Sequence, residues 1–333
     1  MCSSDLLRFC VLVPLIVVAS GGAGCRHLVR NSSNQSLVSA RQLSLRGTDA
    51  LQRERIQDAE LLFSQALAQS PYDERAHWGY ATTRWKNGDK QKGVQHMTEA
   101  YRLSGRNPDY AIQLGELYLA LDQLDPAKQM ALEVLAANRN HAPAWALLGD
   151  THRSQSDWPS ALECYHHALL IRGDYPKVQY SVADIYRTIG RPERALSTLD
   201  HMVDLHSSVA DDTQFMFLKG VALADLNRPK DALEILAKCS EKLPPDDWQK
   251  QLQIAETQAR LSDLVAARMA LGRIPSDRSG TPAVRKIRER LDSDFLQLAN
   301  ATNPSVAAGK DLPSGAIPSL YLAEPAKFPA IQR

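Results

Sequence analysis

From residue 40 to residue 281, apolar and small residues recur every three to four positions in short runs separated by polar, Gly- or Pro-containing breaks. The pattern is clearest between Ala142 and Tyr175. There Trp145, Leu148, Gly149 and His152 share one helical face, and Ala161, Tyr165 and Ala168 share another. This periodicity predicts two amphipathic helices joined by a tight turn. Small residues at Gly149 and Ala161 let two helix backbones approach closely, while Trp145 and Tyr165 fill the space around the contact.

A lone helical hairpin cannot bury its apolar face, so the pattern has to recur. Steps of 34 residues back from Gly149 reach Gly115, Ala81 and Gly47, and steps forward reach Ala183, then Gly220 and Ala255 at slightly longer intervals. Twelve residues after each stands Ala59, Gly93, Ala127, Ala161, Ala195, Ala232 or Ala267. The two columns hold nothing but Gly and Ala. This W-x2-L-G-x2-aromatic, then A-x3-aromatic-x2-A arrangement resembles the tetratricopeptide (TPR) repeat. The resemblance implies an all-α solenoid of about seven hairpins over residues 40–281 and covers roughly Ala40 to Gly280. It is specific for fold and says little about ligand, because the repeated residues are those that build the scaffold.

The flanks read differently. Residues 1–24 hold a short apolar run, Phe9 to Ala19, broken by Pro14 and preceded by Arg8. About 20 apolar residues are needed to span a bilayer, so the run reads as a signal-peptide core. It ends in Ala19-Ser20-Gly21-Gly22-Ala23-Gly24-Cys25, which resembles a bacterial lipobox. The expectation is lipidation at Cys25 and a membrane-anchored, periplasm-facing protein of the cell envelope. Gly22 stands where Leu is usual and the n-region is thin, so ordinary cleavage near Ala23 and an uncleaved anchor stay open. Residues 25–39 read as a polar tether, 282–300 as a capping helix with a charged face, and the Pro-containing stretch 301–333 as a disordered tail.

Within the repeats, Asn107-Pro108 and Asp125-Pro126 read as caps placed before a first-turn proline. Gly88 and Gly190 read as helix stops. A net charge of +1 over 333 residues argues against a nucleic-acid partner held through phosphates. Cys164 and Cys239 lie two repeats apart, so no disulfide framework is implied.

The TPR resemblance implies a ligand groove lined by the first helix of each hairpin. Carried over by position, the candidates are Trp78, Thr82 and Trp85, then Ile112, Glu116 and Leu119, then Ala146, Asp150 and Arg153, then Tyr180, Asp184 and Arg187, with Phe217 and Val221 continuing the line. Glu116, Asp150 and Asp184 recur at the 34-residue step as a column of carboxylates, suited to a cationic or amide-rich peptide. Alternatively, Asp150 with Arg153 and Asp184 with Arg187 neutralise each other as i,i+3 pairs. Trp78 and Trp85 are either groove anchors or packing residues. His141, His152, His166 and His167 lack the spacing of a metal set, and no phosphate loop or nucleophile motif is present. The reading is a non-enzymatic scaffold or adaptor, without cofactor, that binds a protein or peptide. A soluble periplasmic adaptor and an enzyme built on the groove acids and histidines are the alternatives. Oligomeric state is not legible.

Overall fold

The computed structural model describes residues 22–302, with side chains from 36 to 298. Most of the expected signal peptide, the side chain of Cys25 and the tail from 303 onward lie outside the described residues. The chain divides into two compact units, one ending at Val178 and the other beginning at Gln179. The first holds α1 (Gly22–Gln52), α2 (Ile56–Gln69), α3 (Glu74–Lys86), α4 (Lys90–Leu103), α5 (Pro108–Ala120), α6 (Leu124–Ala137), α7 (Ala142–Ser154) and α8 (Trp158–Ile171). Then α9 (Pro176–Thr188) carries the division. The second unit continues through α10 (Pro192–Leu205), α11 (Thr213–Asp225), α12 (Pro229–Lys242), α13 (Trp248–Arg260), α14 (Leu264–Gly272) and α15 (Pro282–Thr302). No strand occurs among the described residues. Within each unit successive helices pack as hairpins, and each hairpin packs on the next.

Seven hairpin turns share one construction. A single residue in each adopts a left-handed conformation: Glu54, Gly88, Asp122, Ser156, Gly190, Asn227 and Ser262, with φ between 55° and 86°. The amide of the following residue then reaches five residues back, as in Asp157 N to His152 O at 3.0 Å and Asp263 N to Gln258 O at 2.9 Å. The left-handed residue itself donates three residues back, as Ser156 does to Arg153 O at 3.0 Å. This is the Schellman closure, which satisfies the last carbonyls of a helix. Only one residue then stands between the left-handed residue and the next helix, and it serves as the N-cap. Asp89, Asp157 and Asp263 fill that role with side-chain bonds to Lys92, Ser160 and Ala266 amides. Because closure at Asp122 leaves only Gln123 before α6, the helix starts at Leu124, and Asp125 lies inside it rather than capping it. Asn107 does cap α5, accepting from Asp109 N at 2.7 Å.

The small-residue columns mark where the helices touch. A Cβ on Gly47 would lie 2.8 Å from the Phe63 ring, one on Gly149 2.6 Å from Tyr165, and one on Gly220 2.6 Å from Leu236. Each large residue stands sixteen positions after its glycine. Where the first column holds alanine (Ala81, Ala183, Ala255), the residue at that spacing is the unbranched or aliphatic Met97, Leu199 or Leu271. Gly115 is the exception: it faces Ala131 in this register, and Leu147 of the next hairpin occupies the space, 2.3 Å from a Cβ placed there. Missing volume on one helix is thus filled by a specific neighbour.

Two flanking expectations change. α1 runs from Gly22, through the stretch read as a tether. Its packed part begins at Ala40 and includes Ser44 and Ala50, and once that part is helical each further residue adds a hydrogen bond at little cost. α15 covers the expected capping helix, turning Val284 and Leu291 inward. Its outer face is less polar than expected, since Leu296 and Leu298 are exposed.

Gly149→Ala should lower stability by about 1–3 kcal/mol, the usual cost of overpacking. Gly272→Ala, with nothing within 4 Å of its Cβ, should be neutral or stabilise by up to about 1 kcal/mol. Thermal unfolding of both variants checks this, and equal melting midpoints would refute the close contact.

Candidate functional site

In the first unit, the expected groove residues are mostly drawn into packing or pairing. Trp78 leans on the core around Leu114 and Leu147, and its indole N–H donates to Gln113 Oε1 at 2.5 Å. Thr82 donates to Trp78 O of its own helix. Trp85 lies beside Gly93 beneath Lys90, whose Nζ is 5.5 Å from the ring centroid. Ile112 is buried and Leu119 is partly buried against the same core. Trp78 thus packs against the core while both tryptophans stay half-buried.

The carboxylates do not stand open. Lys177, at the start of α9, places Nζ 2.9 Å from Glu116 and 3.5 Å from Asp150. Asp150 also accepts from the Tyr165 hydroxyl at 2.5 Å, while Arg153 stays at 4.0 Å. Burial works against the Lys177 charge, but Asp150 and then Glu116 outweigh it and raise its pKa. The cation expected to neutralise Asp150 was Arg153. Arg153 does pair with it at 4.0 Å, and Lys177 joins at 3.5 Å because a residue on the next helix reaches across the contact. Lys177 has no counterpart in the repeat, as Pro143 and Asp109 occupy its column, so register gave no signal for it.

In the second unit, Asp184 is held by Arg187 at 3.1 Å. The Tyr180 hydroxyl donates to Asp212 Oδ2 at 2.6 Å; burial first, then this bond, raises its pKa. Asp212 also caps α11 through Gln214 N. Arg187 and Phe217 come together in a cavity of about 340 Å³. Its walls come from α9, α11 and α13, the first helices of three successive hairpins, and from α15. Phe217 and Val221 supply apolar surface, Asp225 and Glu256 carboxylates, and Arg187, Arg260 and Arg290 guanidinium groups. Asp225 pairs with Arg260 at 2.8 Å and with Arg187 at 4.0 Å. The Arg187 Nε is shut off from solvent without a hydrogen-bond partner. Glu256 continues the carboxylate column, since it stands one residue after Ala255 as Asp184 does after Ala183, so register alone identifies it. Arg260 and Arg290 follow no column.

The histidines serve local structure. His141 Nδ1 accepts from Ala144 N, His152 Nδ1 lies 3.2 Å from Asp157, and His167 stacks on Trp145 at 4.5 Å. Among the described residues no group of three or more His, Cys, Asp or Glu is placed to hold a metal. Cys164 and Cys239 are buried free thiols, each pushed up to about 11 by burial.

The Lys177 bridge is open to test. Lys177→Met should cost about 1–3 kcal/mol, because Asp150, with a side chain only 7% exposed, loses the nearer of its two cations. On an Asp150→Asn background the same change should cost clearly less, as the amide still accepts from Tyr165. The raised pKa of Lys177 places its contribution fully below the unfolded-state pKa, and it is lost as pH rises through the folded one. Urea unfolding of the four proteins decides; equal costs on both backgrounds would refute the bridge to Asp150.

Three family models, each described as a tetratricopeptide repeat, match this chain: one at residues 84–150, one at 44–108 and 180–247, one at 144–179. Tetratricopeptide repeat protein 21A of Mus musculus is 25% identical over 150 residues, 45% of this chain and 11% of that protein. Its Homo sapiens counterpart is 24% identical over 147 residues, again 11% of its length. The chain thus aligns with about a tenth of these curated relatives. Among solved structures, a tetratricopeptide repeat protein from Parabacteroides merdae superposes with a TM-score of 0.59 at 14% identity, covering 76% of this chain and 98% of that one. The Cut9–Hcn1 hetero-tetramer of the APC/C gives 0.55 at 18% identity, covering 74% and 45%. At such identities the likeness is one of fold. The repeat matches run without a gap from residue 44 to 247, more than half of the chain, and follow the hairpins described above: the chain belongs to the tetratricopeptide repeat family.

Proposed function

We propose that this protein is a non-enzymatic interaction scaffold of the bacterial cell envelope, anchored through a lipid on Cys25, that binds an extended peptide segment of a protein partner. The observation that carries the binding part is the cavity on α9, α11, α13 and α15. It presents apolar surface beside closely spaced guanidinium and carboxylate groups. Such alternation matches a peptide backbone, which offers donors and acceptors in turn, better than it matches a strongly charged ligand. The carboxylate column read from the sequence favours a cationic partner less, because Lys177 and Arg187 already balance it. The anchor rests on the apolar run ending in Ala19-Ser20-Gly21-Gly22-Ala23-Gly24-Cys25. No helix among the described residues is long and apolar enough to cross a membrane. A soluble exported adaptor is the second reading, and the fate of Cys25 separates the two.

A photo-crosslinking residue at the exposed Gln253, within the cavity, should capture a partner in intact cells. The same residue at Glu234 on α12 should not. Gln253→Trp, which fills the cavity without touching the core, should weaken binding of the captured partner about ten-fold or more. Raising salt from 50 to 500 mM should change affinity less than about three-fold, since the charges are locally paired. Capture only at Glu234 would refute the groove.

Metabolic labelling with a fatty-acid analogue should tag the wild type and not Cys25→Ser. Equal labelling of the two, or a soluble wild-type protein, would refute the anchor.

A further inference from the structure

Helix α1 carries its charge unevenly. From Gly22 to Thr48 it holds Arg26, Arg30, Arg41 and Arg46 and no Asp or Glu. The whole chain is net +1, so the remainder is net negative. Where side chains are described, the helix packs inward through Ala40, Ser44, Gly47 and Ala50. Its other side is a stripe at helical spacing: Leu37 and Val38, then Arg41 and Gln42, then Leu45 and Arg46, all exposed. The three apolar members are each more than half exposed. The first acid on the helix is Asp49, and Arg53 and Arg55 hold it at 3.1 and 3.8 Å. Arg41 and Arg46 have no ion pair among the described residues.

Exposed leucines beside unpaired arginines narrow what covers this stripe. A second copy laid stripe to stripe would set arginine against arginine, which opposes a symmetric pair. A nucleic acid would engage the arginines and leave Leu37, Val38 and Leu45 in water. A phospholipid surface uses both: apolar side chains enter the headgroup boundary, and guanidinium groups meet the phosphates. Position agrees with this. Cys25 lies on the same helix, twelve residues before Leu37, or about 18 Å of helical rise. A lipid there would hold the stripe close to the bilayer, and stable attachment commonly combines a lipid with a basic patch.

We propose that the exposed stripe of α1 lies on an anionic phospholipid surface, with Arg41 and Arg46 on headgroup phosphates and Leu37, Val38 and Leu45 at the upper acyl chains. This deepens the anchored reading and rests on it for place, while its chemistry comes from the stripe. The stretch read from the sequence as a tether then lies along the membrane.

The test uses the full chain carrying Cys25→Ser, so that no lipid contributes, with vesicles of phosphatidylcholine alone or mixed equally with phosphatidylglycerol. Cosedimentation should show binding to the mixed vesicles at least about ten-fold stronger. Each basic residue near such a surface is worth roughly five-fold. Arg41→Gln with Arg46→Gln should therefore weaken that binding about ten-fold or more, at an unchanged melting midpoint. Lys230→Gln with Lys238→Gln on α12 removes the same charge and should change binding less than about two-fold. Leu37→Gln with Leu45→Gln should weaken it at least about three-fold. Equal binding to the two vesicle types, no binding, or a loss in the α12 variant as large as in the arginine variant overturns the proposal. So does undiminished binding by the leucine variant, which would leave charge alone at work. Self-association of the chain in solution that the leucine variant abolishes would give the stripe to a second copy and overturn it too. Residues 1–24 are common to every variant, so the differences report on the stripe. Failed labelling at Cys25 removes the anchor alone and failed vesicle binding removes the stripe alone, so the two failures are told apart.

Discussion

Three hairpins in this protein are held by a backbone-to-side-chain approach too close for any residue with a Cβ. Gly47, Gly149 and Gly220 each lie against a large residue sixteen positions later, at distances that leave no room for a methyl group. The contact fixes the separation of the two helices and therefore which side chains reach the following hairpin. A hairpin built this way still has an uncovered apolar face. Stability then accumulates by stacking, as a sum of hairpin and neighbour terms, and Leu147 filling the gap at Gly115 shows one hairpin completing another.

The turns obey the same economy of space. Three residues, the middle one left-handed and the last an N-cap, join helices whose ends must meet, and the closure is identical in all seven cases even though five of the left-handed residues are not glycine. A left-handed L-residue costs roughly 1–2 kcal/mol, which the two carbonyls satisfied by the Schellman bonds offset. The backbone solution is conserved along the chain more faithfully than the residue that adopts it.

Charge is arranged quite differently. Glu116, Asp150 and Asp184 recur in step with the scaffold, but the cations that meet them do not. Lys177 serves two of them and Arg187 the third. Paired charges at a partly wet surface contribute little net affinity and mainly determine which partners are rejected. Apolar surface and a buried polar atom without a bond meet in the cavity around Phe217 and Arg187, whose Nε is shut off from solvent. There two repeated positions meet Arg260 and Arg290, which follow no column.

That distinction separates what was legible in the sequence from what was not. The helical hairpins and the close contacts at the Gly and Ala columns follow from periodicity, because a helix of 3.6 residues per turn allows few ways to bury such a stripe. The same register identifies Asp184, Arg187, Phe217 and, carried one repeat further, Glu256. It has no means of showing that Trp78 finds Gln113, that Ile112 and Asp150 are buried, or that Lys177 spans two carboxylates. Nor does it show that Asp125 lies inside α6. Those outcomes depend on how far side chains reach between helices and how tightly each turn closes, distances that come into being only when the hairpins pack. The sequence by itself determined the scaffold, since the scaffold is the part that repeats. Tertiary structure decided which side chains meet, because non-repeated residues from different hairpins come together only when the hairpins pack.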